Sequence, residues 1–218
     1  LRVFEELLAL FRARAPIPGP DQFPKAKPAL EDYAFPGYLL NEETMRQALD
    51  DTRVDRIRQA LKDTRMPGSP VRYKAPWHDG TVLEESSVDM IFSQAVLEHV
   101  DELPGTYHAM KQWLKPGGFM SHQIDFKCHH TANEWNGHWR YGDFAWKLIR
   151  GNRPYLINRE TYSTHKRLLA AEGCPVVYEQ PVITPSKFSR QQLAARYQDM
   201  PEEDLTISGV FLQALKEA

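Results

Sequence analysis

Leu1, Phe4, Leu7, Leu8 and Phe11 recur at the spacing of one helix face, and residues 1–15 are predicted to form an amphipathic helix. Pro16, Pro18, Gly19 and Pro20 end it, since proline lacks the N–H that a helix interior needs. The stretch 16–40 holds six of the sixteen prolines with scattered aromatics, a composition that suits an ordered loop or lid. Asn41, followed by Glu42 and Glu43, reads as the N-cap of a second helix running to about Thr64. Its side-chain oxygen can satisfy a free N–H, and the two acids meet the positive end of the helix dipole. Met66 to Pro70 reads as a turn.

The pattern then changes. Val71–Ala75 is a candidate short strand, and Val88–Phe92 is a stronger one, with Val88, Met90, Ile91 and Phe92 nearly continuous. Such a run suits a strand covered on both faces. Leu103, Tyr107, Met110 and Leu114 return to helical spacing, stopped by Pro116-Gly117-Gly118, and Phe119–Ile124 reads as strand. Glu160–Glu172 reads as a helix ended by Gly173, with Val176–Tyr178 and Leu205–Leu215 as the last two strands. Alternating strands and helices predict an α/β fold with a mainly parallel sheet. No internal repeat or low-complexity tract breaks the pattern, and 1–218 reads as a single domain.

Charge narrows the partners. The 218 residues carry 27 Lys+Arg and 29 Asp+Glu, a net charge of −2, which argues against a general polyanion or nucleic-acid binder. No stretch approaches the roughly 20 apolar residues of a bilayer crossing, and no apolar core of a signal peptide is present. Cys128 and Cys174 are too few and too far apart for a disulfide framework or a paired-cysteine metal knuckle. A reduced, cytoplasmic protein is the expectation.

Two runs carry a resemblance. Ser87-Val88-Asp89-Met90-Ile91-Phe92-Ser93-Gln94-Ala95-Val96-Leu97-Glu98-His99-Val100, then Leu114-Lys115-Pro116-Gly117-Gly118, resemble the fourth strand and the turn into the fifth strand of class I S-adenosylmethionine-dependent methyltransferases. Ser121-His122-Gln123-Ile124-Asp125, Asn158-Arg159 and Asp204-Leu205-Thr206-Ile207-Ser208-Gly209 are similar to a narrower, type 11-like bacterial branch. The resemblance spans roughly residues 70–218. It implies a Rossmann-like fold with strand order 3-2-1-4-5-7-6, an antiparallel last strand, and S-adenosyl-L-methionine as cofactor.

One departure is large. The family opens with a strand, a glycine-rich loop and a second strand ending in an acid that holds the ribose, and nothing here matches them. Gly19, Gly37, Gly68 and Gly80 stand isolated in proline-rich or turn contexts. The sequence therefore reads as N-terminally incomplete, lacking the first two strands. Those strands would lie between Val71–Ala75 and Val88–Phe92, leaving a gap of about three spacings of about 4.8 Å. Either the first segment moves onto the second, or it is not a strand. Weak cofactor binding and self-association through faces left uncovered are further expectations.

Ligands of an open α/β sheet bind beyond the carboxyl ends of its strands. Ser93 and Gln94 leave one such end and Asp125 another, so Ser93 and Gln94 are candidates for facing the cofactor. By resemblance, the segment Trp77-His78-Asp79 caps the adenine, with Asp79 accepting from the exocyclic amine; an ordinary turn acid is the other reading. Methyl transfer needs a base only when the acceptor loses a proton, and His122, Asp125 and His99 are the candidates. The alternatives are a buried polar pair that orders the loop, and a structural histidine. His129 and His130 lie in the loop beyond. The types of His122, Asp125, His129 and His130 suit zinc or iron, yet no helical i,i+4 pairing supports them, and no metal is expected.

Residues 126–159 read as a substrate-side insertion. There Trp139, Arg153 and Arg159 join His129 as candidate acceptor contacts: aromatic planes suit a sugar ring, and arginines suit a phosphate or carboxylate. A mini-core closing the sheet edge is the alternative. Three functions follow: a methyltransferase acting on a small-molecule or glycan acceptor, a degenerate non-catalytic binding module, and a metal hydrolase built on the His122–His130 cluster.

Overall fold

The computed structural model describes residues 1–75 and 79–217. The chain falls into two compact units, Leu1–Ala75 and Pro76–Ala218.

The first unit is helical, with α1 (Arg2–Arg12), α2 (Glu42–Ala48) and α3 (Asp51–Lys62). Leu8, Met45, Val54 and Ala60 are its buried apolar residues, and Arg58 ties α3 to α1 through both oxygens of Glu5, at 2.7 and 2.9 Å. The single helix expected over 41–64 is two. Asn41 Oδ1 accepts from the Thr44 N–H at 2.9 Å, as the sequence suggests, but Asp50 Oδ1 accepts from the Arg53 N–H at 3.0 Å and starts a second helix. A capping aspartate competes with the helix it would otherwise sit inside. Val71–Ala75 forms no strand. Ser69 Oγ donates to the Val71 carbonyl at 2.6 Å and accepts its N–H at 3.2 Å, so a local turn takes the groups a ladder would use, and residues 72–75 stand exposed.

The second unit is a sheet with helices packed on it. Its elements are β1 (Val88–Gln94), α4 (Leu103–Trp113), β2 (Leu114–Asp125), α5 (Asp143–Arg150), α6 (Tyr162–Ala171), β3 (Val176–Ile183) and β4 (Ile207–Leu215). The strand order is β1-β2-β4-β3, with β1 and β2 parallel and β4 antiparallel to both its neighbours. That arrangement is Rossmann-like: three strands run one way, and the last is inserted against them. Gly118 is required where β2 bulges beside β1, because a Cβ there would lie 2.9 Å from the Lys115 carbonyl and 3.1 Å from that of Asp89.

Two-residue alternation sorts the faces. Met120, His122 and Ile124 of β2, with their β4 partners Ala214, Leu212 and Val210, are all buried. Tyr107, Met110 and Trp113 of α4 and Leu169 of α6 complete this core. The opposite face is another matter. Met90 is 46% exposed and Phe92 72%, so β1 is not the doubly covered strand its apolar run suggests. Among the described residues β2 is its sole strand neighbour, which leaves β1 as the sheet edge. A second apolar cluster lies in the insertion and the tail, where Trp139 packs with Leu193, Tyr197, Met200 and Leu205.

Candidate active site

The carboxyl ends of β1 and β2 lie side by side, with Ser93 opposite His122 and Gln94 opposite Gln123. Past Gln94 the chain turns sharply, Ala95 taking the left-handed φ of +52°, a strained choice for a residue with a Cβ. A single 3-10 turn, Leu97–His99, follows. Asn158 clamps it: Nδ2 donates to the carbonyls of Leu97 and Val100, both at 2.8 Å, and its backbone N–H donates to the Glu98 carbonyl at 2.7 Å. Beyond β2, the chain reaches His129 and His130 with left-handed φ values of +46° and +65°.

These two turns converge. The rings of His99 and His129 lie 5.1 Å apart, nearly perpendicular at 74°. Glu98 is 3% exposed, and neither carboxylate oxygen has a hydrogen-bond partner of good geometry. Burial pushes its carboxyl up to about 7, and the Asp125 carboxylate adds to the rise while His129 opposes it. Asp125 itself accepts from the Lys127 N–H at 2.9 Å. Glu98 is the site residue that the sequence reading passed over. Its signal is an acid set among Val96, Leu97 and Val100, where the pattern calls for apolar side chains.

His122 lies elsewhere. Its side chain faces the core with Nδ1 2.8 Å from Ser93 Oγ, and burial lowers its ring to about 4. Beneath it, Tyr107 Oη lies 2.8 Å from Nδ1 of the fully buried His165, which burial holds at about 3. Ser93 and His122 therefore form one end of an internal polar layer. Their position at the strand ends makes them supports for the site above.

The remaining candidates separate. Asp79 Oδ1 accepts from the Thr81 N–H at 2.9 Å and from Thr81 Oγ1 at 2.7 Å, capping a 3-10 turn. His78 and Trp77 lie outside the described residues. Trp139 is fully buried, its Nε1–H donating to the Arg159 carbonyl at 3.1 Å. Arg159 is buried too: it donates to the Tyr141 carbonyl at 2.7 Å and to Asp143 at 3.1 Å, and stacks 4.6 Å over Trp146. Both are committed to the insertion's own core. Arg153 is exposed and donates through Nε to the Arg150 carbonyl at 3.3 Å. A polar cavity of about 460 Å³ opens beside the His129–His130 turn, lined by His130, Asn133, Glu134, Arg140, Tyr141 and Phe188.

Residues 40–121 match the family model described as a methyltransferase domain. A comparison with curated proteins gives no match. Among solved structures, an S-adenosylmethionine-dependent methyltransferase from Methanosarcina mazei is 15% identical, with TM-score 0.48, over 74% of this chain and 77% of that one. One from Mesorhizobium loti is 16% identical, with TM-score 0.44, over 72% and 75%. The 1,6-didemethyltoxoflavin-N1-methyltransferase of Burkholderia thailandensis is 15% identical, with TM-score 0.41, over 74% and 56%. The family match takes in β1, its turn and the first part of β2, the elements that form the floor of the candidate site.

Proposed function

We propose that this chain supplies the acceptor side of a methyl transfer from S-adenosyl-L-methionine to a small polar molecule or a glycan. The observation that carries the reading is the convergence of Glu98, His99 and His129 at the parallel carboxyl ends of β1 and β2, with His130, the residue after His129, on the wall of a polar cavity of about 460 Å³. That volume lies in the range of small-molecule sites, and its amide, carboxylate and guanidinium lining suits hydroxyl-rich ligands. Asp125 and, in the metal-free protein, His99 are the groups we assign to take a proton from an acceptor hydroxyl or amine, the one service a base renders in this chemistry.

The described residues do not fit the donor. Gly68, Gly117, Gly151 and Gly173 are the described glycines of left-handed φ, and none joins a strand to a following helix. No described strand flanks β1 on its outer side, where the resemblance would put the two strands that carry the cofactor loop and the ribose acid. This misfit favours a second reading, a non-catalytic module that binds the acceptor alone. Either reading suits a cytoplasmic protein, for both cysteines are free and buried. No helix of the described residues is long and apolar enough to cross a membrane.

Incubation of the chain with labelled S-adenosylmethionine and a panel of glycans and small hydroxylated acceptors, read by mass spectrometry, tests the proposal. A product heavier by one CH2 supports methyl transfer. Acceptor binding without product or donor binding supports the module, and binding of neither ligand overturns both.

A further inference from the structure

We propose that Glu98, His99 and His129 form a binding site for a divalent transition-metal ion. Their donor atoms all lie within 4.8 Å of one another. Tetrahedral coordination with bonds of about 2.0–2.1 Å sets ligand atoms about 3.4 Å apart. Closing the site therefore takes at most about 1.4 Å, a distance that side-chain rotation covers.

Each donor is prepared for this role. Neither oxygen of the buried Glu98 carboxylate has a hydrogen-bond partner of good geometry, the backbone N–H groups of Glu98 and Asp125 only approaching it, an expensive state for an ionised acid that has no cation to meet. His129 Nδ1 lies 2.6 Å from the Lys127 carbonyl, which makes Nδ1 the N–H donor and leaves the Nε2 lone pair free. A backbone carbonyl holding the far nitrogen of an imidazole is the usual support of a metal-bound histidine. Nδ1 of His99 is buried and likewise without a partner. The two rings stand edge-on with centroids 5.1 Å apart.

The scaffold is stiff where it matters. Three hydrogen bonds from Asn158 fix the turn that carries Glu98 and His99. Two imidazoles and a carboxylate select zinc, iron(II), cobalt(II) or manganese(II) over calcium and magnesium, which favour all-oxygen shells. Three protein ligands leave a position for an oxygen of water or of an acceptor. The cluster differs from the one its sequence suggests, because His122 is turned into the core towards Ser93. Metal binding here does not depend on the methyl-transfer reading.

The whole chain, stripped with EDTA, is to be titrated with Zn(II) and Co(II) by calorimetry, with visible absorption following Co(II). One ion per chain is expected, with micromolar or tighter affinity and a Co(II) spectrum of nitrogen and oxygen ligation. Glu98→Gln and His129→Gln are expected to weaken binding at least about tenfold. His108→Gln, at a surface histidine paired with Glu172, is expected to leave it unchanged. Should Glu98→Gln fail to fold, His129→Gln decides, since His129 sits in a half-exposed loop. No saturable binding below about 100 µM, or binding that survives His129→Gln, overturns the assignment.

Discussion

The backbone N–H of Asn158 donates to the Glu98 carbonyl at 2.7 Å, across 60 residues of chain that include β2 and the whole insertion. The amide side chain of the same residue holds the carbonyls on either side. One residue thus sets the geometry of the turn that presents Glu98 and His99, and it ties the insertion's exit to the strand ends. Folding and function meet at this contact.

Asn158→Ala removes both side-chain donors and strands the carbonyls of Leu97 and Val100. Each lost bond to a buried acceptor costs about 1–2 kcal/mol, so a loss of about 2–4 kcal/mol is expected, read as a lower denaturant midpoint. Metal or acceptor affinity should fall with it, because the turn loses its clamp. An unchanged midpoint contradicts the role given to Asn158.

Stability of the metal-free protein should fall as pH drops below about 6.5. Burial depresses His122 to about 4 and His138 and His165 to about 3, so the folded state refuses protons that the unfolded chain accepts near 6.5. Glu98 acts in the opposite sense: its raised carboxyl, about 7, contributes stability below the unfolded value and loses it as pH rises. Between about pH 4.5 and 6.5 the unfolded state therefore binds about two protons more, three from histidine less one from Glu98. Well inside that window the slope approaches about 2.7 kcal/mol per pH unit. Urea unfolding at pH 5, 6 and 7.5 measures it, and His165→Phe should flatten the slope by about one proton. A flat profile counts against the buried neutral histidines.

Asp204 caps α6 from the far end of the chain. Its Oδ1 accepts from the Ser163 N–H at 2.9 Å and its Oδ2 from Ser163 Oγ at 2.6 Å, with the carboxylate almost fully buried. A helix N-terminus favours negative charge, and a cap is worth about 1 kcal/mol, more where it is buried. Asp204→Ala is expected to cost about 2–3 kcal/mol, and Asp204→Asn, which keeps an acceptor oxygen, about half as much. Hydrogen exchange at the first turn of α6 should accelerate in the alanine variant before other helices respond.

The sheet was legible because its strands are apolar runs of the right length, and Gly173, at φ +68°, ends α6 where the sequence places the stop. The parallel pairing of 88–92 with 119–124 follows from the same runs. What was not legible depended on competition. Leu49-Asp50-Asp51 continues a helical pattern, yet the carboxylate of Asp50 captures a nearby N–H and divides the helix. Val71 alternates as a strand residue would, yet a serine hydroxyl two residues back captures its backbone. The site suffered from the same blindness to partners. His122 is a strong acid–base candidate by type, but two-residue alternation places it with Met120 and Ile124 in the core. Glu98 carries no motif of its own, and its burial comes from the turn that Asn158 holds.

Arg159 shows how the insertion is held, and its replacement makes the sharpest test of that core. The guanidinium donates to the Tyr141 carbonyl, reaches Asp143, and stacks over Trp146 at 4.6 Å and Tyr197 at 5.5 Å. Burial lowers its pKa, the Tyr197 ring and Asp143 working against that effect. Lysine at this position keeps the charge but loses the planar fork, so it cannot serve the carbonyl and lie flat on indole together. Asp143 is largely solvated, and little of the cost comes from that ion pair. The carbonyl bond and the stacked rings account for the rest, and Arg159→Lys is expected to cost about 2–3 kcal/mol. Tryptophan emission reports on it directly, since Trp146 lies under the guanidinium and Trp139 donates to the Arg159 carbonyl. The expected result is an earlier red shift in urea than in the unmodified chain. Coincident transitions would mean that aromatic packing alone holds the insertion together.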